Sequence, residues 1–290
     1  MRSSPACPES VILAPAERKS AVLELFEAAR HSLEVGMFRW EAKELLVGLE
    51  RACRRGVRVR VLLSRRAKGW GQKLLALERL LQDLGVEVRR YHTQASKYHA
   101  KYVIADEQLC LVGSFNFTKR DFKRTCDFGL LRREPETAQG LARLFAADWE
   151  GGELPELPSH LLVTPGGGRL RIRGLILGAR RSLDIIDHRM WSPDVLQVLA
   201  GRALAGVSVR VLGREHAETE AAILCRNPAG WVPHGKLLIV DKETAVLGSI
   251  SPITPLLDHR RELSIATSHP ASVQRLSEFF EESFRRQDPA

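Results

Sequence analysis

His99-Ala100-Lys101-Tyr102-Val103-Ile104-Ala105-Asp106, with Gly113-Ser114-Phe115-Asn116 downstream, returns as His234-Gly235-Lys236-Leu237-Leu238-Ile239-Val240-Asp241 with Gly248-Ser249-Ile250-Ser251. Histidine and serine stand 15 apart in both copies, and each aspartate follows its lysine by five. The likeness spreads outward. Gly56-Val57-Arg58-Val59-Arg60-Val61-Leu62 reads like Gly206-Val207-Ser208-Val209-Arg210-Val211-Leu212 at an offset of 150, and residues 29–35 match 179–185 at the same offset. The histidines are offset by 135, as are Pro135/Pro270, Leu141/Leu276, Phe145/Phe280 and Trp149/Phe284. The second copy is therefore about 15 residues shorter between its second strand and its histidine. Solenoid repeats are far shorter than this, so the chain is read as two similar domains, 1–150 and 159–290. The Gly/Pro-rich stretch 151–158 joins them.

Hydrophobic periodicity gives both copies one element order. Strands are expected at 11–13 and 161–164, helices at 17–31 and 170–181, strands at 33–38 and 183–187. Helices at 42–54 and 194–204 and β-branched strands at 57–63 and 207–212 follow. The first copy adds a helix at 71–84 and a strand at 86–91. Each histidine opens a strand–turn–strand, at 101–105 and 109–113 in the first copy, and helices at 135–149 and 270–286 close the halves. Alternating strands and helices argue for an α/β sandwich around a mostly β core.

Composition narrows the class. A chain of 290 residues, 44% hydrophobic, has room for two domains with real cores. No apolar run approaches a membrane span. Met1 to Ser10 lacks the apolar core of a signal peptide, so either the protein stays in the cytoplasm or a leader has been removed; the retained Met1 favours a cytoplasmic location. The cysteines (Cys7, Cys53, Cys110, Cys126, Cys225) are odd in number and lack C-x-x-C spacing, which argues against a disulfide framework or zinc cluster. Cys110 reads as a small buried hydrophobe. Net charge is +9, of which +8 falls in residues 1–150. Basic runs occur at Arg54-Arg55, at Arg65-Arg66-Ala67-Lys68, and at Lys119-Arg120-Asp121-Phe122-Lys123-Arg124. They fit either a solvated surface or a field that attracts a polyanion.

The pattern His-x-Lys-x4-Asp-x6-Gly-Ser, present twice, resembles the signature of the phospholipase D superfamily, the HKD motif. The resemblance implies a duplicated phospholipase D-like α/β sandwich, with mixed central sheets flanked by helices and pseudo-twofold symmetry. It places both motifs in one cleft, so that a monomer suffices for the site. It also implies phosphodiester cleavage through a covalent phosphohistidine, without a metal or other cofactor. The family sets a carboxylate against the non-reacting ring nitrogen of the histidine. Asp127 follows His99 by 28 and Glu262 follows His234 by 28, so these two are expected to share that role. Family practice makes His99 the nucleophile and His234 the acid/base.

The chemistry accounts for the residue types. Lys101 and Lys236 would cancel the charge of the phosphate as it shifts in the transition state. Ser114, Asn116, Ser249 and Ser251 would hydrogen-bond the non-bridging oxygens. A carboxylate on the histidine N–H fixes the tautomer and stabilises the cation formed after attack. Asp106 and Asp241 sit where a strand enters a turn, which favours a structural hydrogen-bonding role.

The substrate is read first as nucleic acid, cleaved by a nuclease. The basic first half supports this, as does the cluster of Lys119, Lys123 and Arg124 just after Asn116. Trp70, within Lys68-Gly69-Trp70-Gly71-Gln72-Lys73, could stack on a base or simply pack on its own domain. The alternative is a phospholipase D or cardiolipin-synthase-like phosphatidyltransferase at an anionic phospholipid surface, which attracts the same cations.

Overall fold

The computed structural model describes residues 8–92, 97–188, 192–213, 222–227, 230, 232–253 and 260–286. Met1 to Cys7, most of the stretch compared with a signal peptide, lie outside the described residues.

The first half runs β1 (Glu9–Ile12), α1 (Pro15–Ala28), β2 (Ser32–Met37), α2 (Lys43–Arg54), β3 (Arg58–Ser64), α3 (Gly71–Asp83) and β4 (Glu87–Tyr91). It continues with β5 (Lys97–Tyr98), β6 (Tyr102–Ala105), β7 (Leu109–Gly113), β8 (Thr125–Cys126), β9 (Gly129–Arg132) and α4 (Pro135–Glu150). The second half runs β10 (Leu161–Thr164), α5 (Gly168–Gly178), β11 (Ser182–Ile186), α6 (Pro193–Leu204), β12 (Ser208–Leu212) and β13 (Ile223–Arg226). It ends with β14 (Val232–Pro233), β15 (Lys236–Val240), β16 (Thr244–Gly248), β17 (Arg260–Thr267) and α7 (Pro270–Arg285).

Two mixed sheets repeat one strand order. The first is β1-β9-β7-β6-β2-β3-β4 and the second is β10-β17-β16-β15-β11-β12-β13. The paired prolines of the repeat, Pro135 and Pro270, open α4 and α7, where a missing N–H costs nothing. Gly151 ends α4 in the left-handed conformation at φ 74°, and the linker begins there.

Three cores hold the layers together. α1, α2 and α3 cover the outer face of the first sheet; Leu45, Leu49 and Ala52 form the buried stripe of α2. α5 and α6 cover the outer face of the second sheet. The third core is shared: Leu141, Phe145 and Trp149 of α4 and Leu276, Phe280 and Phe284 of α7 join Val112, Leu130, Leu247 and Leu263 from the facing sheets. Sequence reasoning anticipated a core for each half but not this common one. Cys110 is buried in it, and burial pushes its thiol up to about 12.

Six strands were not read from the sequence: β5, β8, β9, β13, β14 and β17. Two of these pairings join the halves. β5 runs parallel to β17, with Lys97 opposite Arg260 and Tyr98 opposite Arg261. β14 runs parallel to β8, with Val232 opposite Thr125 and Pro233 opposite Cys126. Subtracting the 135-residue offset converts one register into the other, so the exchange is reciprocal, as in a self-complementary twofold interface.

Candidate active site

Each exchanged strand delivers a histidine to the opposite half. His99 follows β5, and its N–H donates to Arg261 O at 2.7 Å. That places His99 Nδ1 3.3 Å from Glu262 Oε1. His234 follows β14; Gly235 N–H donates to Cys126 O at 2.7 Å, and His234 Nδ1 lies 2.8 Å from Asp127 Oδ1. The 28-residue spacing is counted within a half, but the contact is made between halves. Gly235 is needed for the second approach, because a Cβ there would stand 2.7 Å from the Phe128 ring and 2.9 Å from Asp127 Cα.

The carboxylates sit in unlike surroundings. Asp127 is buried and accepts hydrogen bonds from the Ser114 hydroxyl at 2.6 Å and the Thr125 hydroxyl at 2.5 Å. Burial alone would raise its carboxyl; the His234 ring, the Arg18 guanidinium and the Ser114 hydroxyl outweigh it and hold the group at about 2. Glu262, equally buried, accepts from Arg169 Nη2 at 2.5 Å, a full ion pair.

Arg18 and Arg169 were missed by sequence reasoning. Both come from the first helix of their half and are buried. Arg18 also reaches the carbonyls of Asp121 and of Asp127, the latter at 3.2 Å. Their signal was present: each is a cation in register with an apolar stripe, Ala21-Val22-Leu25 in α1 and Ile172-Ile176 in α5.

Both motif lysines are buried, and each donates to the carbonyl of its own histidine, Lys101 to His99 O at 2.5 Å and Lys236 to His234 O at 2.6 Å. Burial lowers Lys101 to about 7; Glu262, Asp121 and Asp127 oppose the shift, and Lys236 adds to it. One amine therefore feels carboxylates and the partner lysine from both motifs, which makes this a single electrostatic site.

The expected phosphate ligands are largely committed to the protein. Ser114 gives its hydroxyl to Asp127 and accepts the Phe128 N–H at 2.9 Å. Ser249 bridges the Leu263 carbonyl and N–H at 3.1 and 3.0 Å. Ser251 donates to Asp187. Asn116 donates its backbone N–H and side-chain amide to Asp121 at 2.7 and 2.8 Å. Ser114, Asn116 and Ser251 thus hold carboxylates beside the site, while Ser249 ties the end of β16 to β17. Asp121 and Asp187, neither singled out from the sequence, are buried members of the same network. Asp121 was hidden within a basic run.

Asp106 and Asp241 lie at the far end of the β6–β7 and β15–β16 turns, each with φ near 54°. Asp106 accepts the N–H groups of Arg30, His31 and Ser32, and Asp241 those of Arg180, Arg181 and Ser182. They pin the α1–β2 and α5–β11 junctions and touch no other motif residue. These backbone bonds outweigh burial and lower both carboxyls.

Asp121, Asp127 and His234 bring three potential metal-ligand atoms within 4.8 Å of one another. Their inward atoms already accept from Asn116, Ser114 and His234 itself, and Arg18 lies beside them. The donor set suits an oriented imidazole better than a cation.

At the mouth, Trp70 packs against Phe38, Ala67 and Leu74. Arg39 stands 4.9 Å from the Phe38 ring and 5.4 Å from the Trp70 ring, with Lys73 4.7 Å from Trp70 and Lys97 4.8 Å from Phe38. Lys119, Lys123 and Arg124 are exposed. Lys123 and Arg124 line a groove together with Arg18 and Thr125.

The fold has counterparts among known proteins. Residues 22–149 match the family model described as cardiolipin synthase, PLD-like domain. The first half of the chain is thus similar to a phospholipase D-like domain. The chain is 29% identical over 132 residues to the mitochondrial cardiolipin hydrolase of Mus musculus, covering 45% of this chain and 58% of that relative. To the phospholipase D of Rickettsia typhi it is 28% identical over 136 residues, covering 47% and 62%. The chain thus aligns with under two thirds of the length of each of these relatives. Among solved structures, the polyphosphate kinase of Porphyromonas gingivalis superposes with a TM-score of 0.79 at 19% identity, over 97% of this chain and 47% of that one. The phosphatidylserine synthase of Haemophilus influenzae superposes at 0.72 with 15% identity, over 97% and 87%. Both likenesses extend the duplicated α/β fold across the whole chain.

Proposed function

We propose that the protein is a phosphodiesterase working through a covalent phosphohistidine. The observation that carries this reading is the crossed pairing of two histidines with two buried carboxylates, flanked by two buried lysines. His99 Nε2 attacks phosphorus and the bond to the leaving oxygen breaks. His234 gives that oxygen a proton. Water then attacks phosphorus, His234 takes its proton, the P–N bond breaks, and a phosphomonoester leaves.

The unequal carboxylates support this division of roles. Glu262 is already neutralised by Arg169 at 2.5 Å, so it adds little pull for a proton on His99, and a nucleophile must be unprotonated. Asp127, held at about 2, meets His234 at 2.8 Å with hydroxyl partners of its own, which orients His234 for the role of acid.

For substrate we favour a nucleic-acid strand. The basic first half, with Arg39 and the partly buried Trp70 next to Phe38 and His99, suits a polyanion. A second reading, a phospholipid headgroup ester, is favoured by the names of the cardiolipin hydrolase and phospholipase D relatives. A panel of labelled single- and double-stranded DNA, RNA and cardiolipin/phosphatidylglycerol vesicles, each with excess chelator, separates the two. Strand cleavage that survives chelation is expected; lipid turnover without strand cleavage would reject the first choice.

A further inference from the structure

The halves differ at one pair of positions beside the reaction centre. Met37 and Phe38 stand at the end of β2; Asp187 and His188 occupy the equivalent places after β11, 150 residues on. In the first half the Phe38 ring lies 4.8 Å from the His99 ring and 5.5 Å from Lys101 Nζ. In the second, the His188 ring stacks on His234 at 6.1 Å with 20° between planes. Lys236 Nζ donates to His188 Nδ1 at 2.9 Å and lies 3.3 Å from Asp187 Oδ1.

An ammonium has donors and no acceptor, so the nitrogen of His188 that meets Lys236 offers a lone pair and its ring proton sits on Nε2. Asp187, fully buried, supplies the opposite charge. The amine of the first motif meets an aromatic face; the amine of the second is held between a carboxylate and an imidazole. Such a difference has no use in a site that treats the two sides of the phosphate alike.

We propose that His188 is a positioning residue which, with Asp187, fixes the Lys236 ammonium on the side from which the leaving oxygen departs. This rests on the phosphodiesterase reading, with His234 as the acid. A fixed ammonium beside the acid supports a leaving oxygen that stays basic. The site is thus built for unactivated alcohols, such as a sugar or glycerol hydroxyl, rather than for activated leaving groups.

The test pairs two methyl aryl phosphodiesters, one leaving as 4-nitrophenolate and one as phenolate. The expected loss in kcat for His188→Phe, which copies Phe38, is about 10-fold on the first and about 100-fold on the second, the range of one charge-assisted hydrogen bond. His188→Asn, which keeps an acceptor near the Nδ1 position, restores most of the difference. Equal losses on both esters mean a merely structural role and overturn the proposal. A second readout needs no catalysis. In protein labelled with ¹⁵N-histidine, the His188 Nδ1 signal should sit in the unprotonated-acceptor region and shift in Lys236→Met. A protonated Nδ1, or a signal indifferent to Lys236→Met, overturns the proposal whether or not the protein cleaves phosphodiesters. Failure of the unaltered protein to cleave either ester counts against the phosphodiesterase reading and leaves the tautomer to decide this one.

Discussion

Single side chains carry much of the site's asymmetry, and two of them give direct tests. Gly235 has no room for a methyl group, so Gly235→Ala must push His234 away from Asp127. Turnover should fall about 10- to 100-fold, the cost of losing an oriented charge-assisted hydrogen bond, while the far-ultraviolet dichroism stays native; unchanged turnover would mean the close approach is not needed. Lys101 is held at about 7 by burial, against an ordinary value of 10.5. Between those values the unfolded chain binds the proton and the folded chain does not, so raising the pH favours folding across that window. The thermal midpoint of the unaltered protein should therefore climb relative to that of Lys101→Met as pH goes from 7 to 10. A constant difference would show that the amine is not perturbed. The histidines, lysines and motif aspartates were legible from spacing alone. The partners that set their chemistry were not, because Asp121, Asp187 and the two arginines look like ordinary charges until burial is known.

Elements explain why the carboxylates differ. α1 and α5 each send a buried arginine beneath the site, and only Arg169 pairs directly with its carboxylate side chain. Arg169→Met should leave Glu262 as an uncompensated charge beside His99. His99 would become more basic, and the limb of the pH–rate profile that reports the nucleophile should move to higher pH. The lost buried partner should also cost about 3–5 kcal/mol of stability, read by denaturant titration. A limb that stays in place would separate Glu262 from the nucleophile. All seven helices of the described residues lie where periodicity put them, within a few residues. Three of the strands that build the site, β5, β8 and β14, escaped because they are two residues long, too short for any alternation to register. Their pairing is dictated by the opposite half, so no local signal could reveal it.

The whole molecule is an exchange between halves: neither half contains a histidine together with the carboxylate that orients it. Mixing His99→Ala chains with His234→Ala chains should restore no activity, because each folded chain closes its own site; recovery on mixing would point to exchange between chains instead. The basic surface acts over longer range. Reversing charge at Lys119, Lys123 and Arg124 should weaken DNA binding and flatten its salt dependence by up to about three counterions, as read by binding isotherms at several salt concentrations. An intact slope would remove this cluster from the phosphate path. The division of labour between the two histidines is open to chemical capture. In His234→Ala a 4-nitrophenolate leaving group needs no acid, yet the second step lacks its base, so a covalent adduct should accumulate from bis(4-nitrophenyl) phosphate. Peptide mass mapping of that adduct should find the 4-nitrophenyl phosphoryl group on His99; finding it on any other residue, or finding turnover without an adduct, would contradict a phosphohistidine mechanism that starts from the first motif.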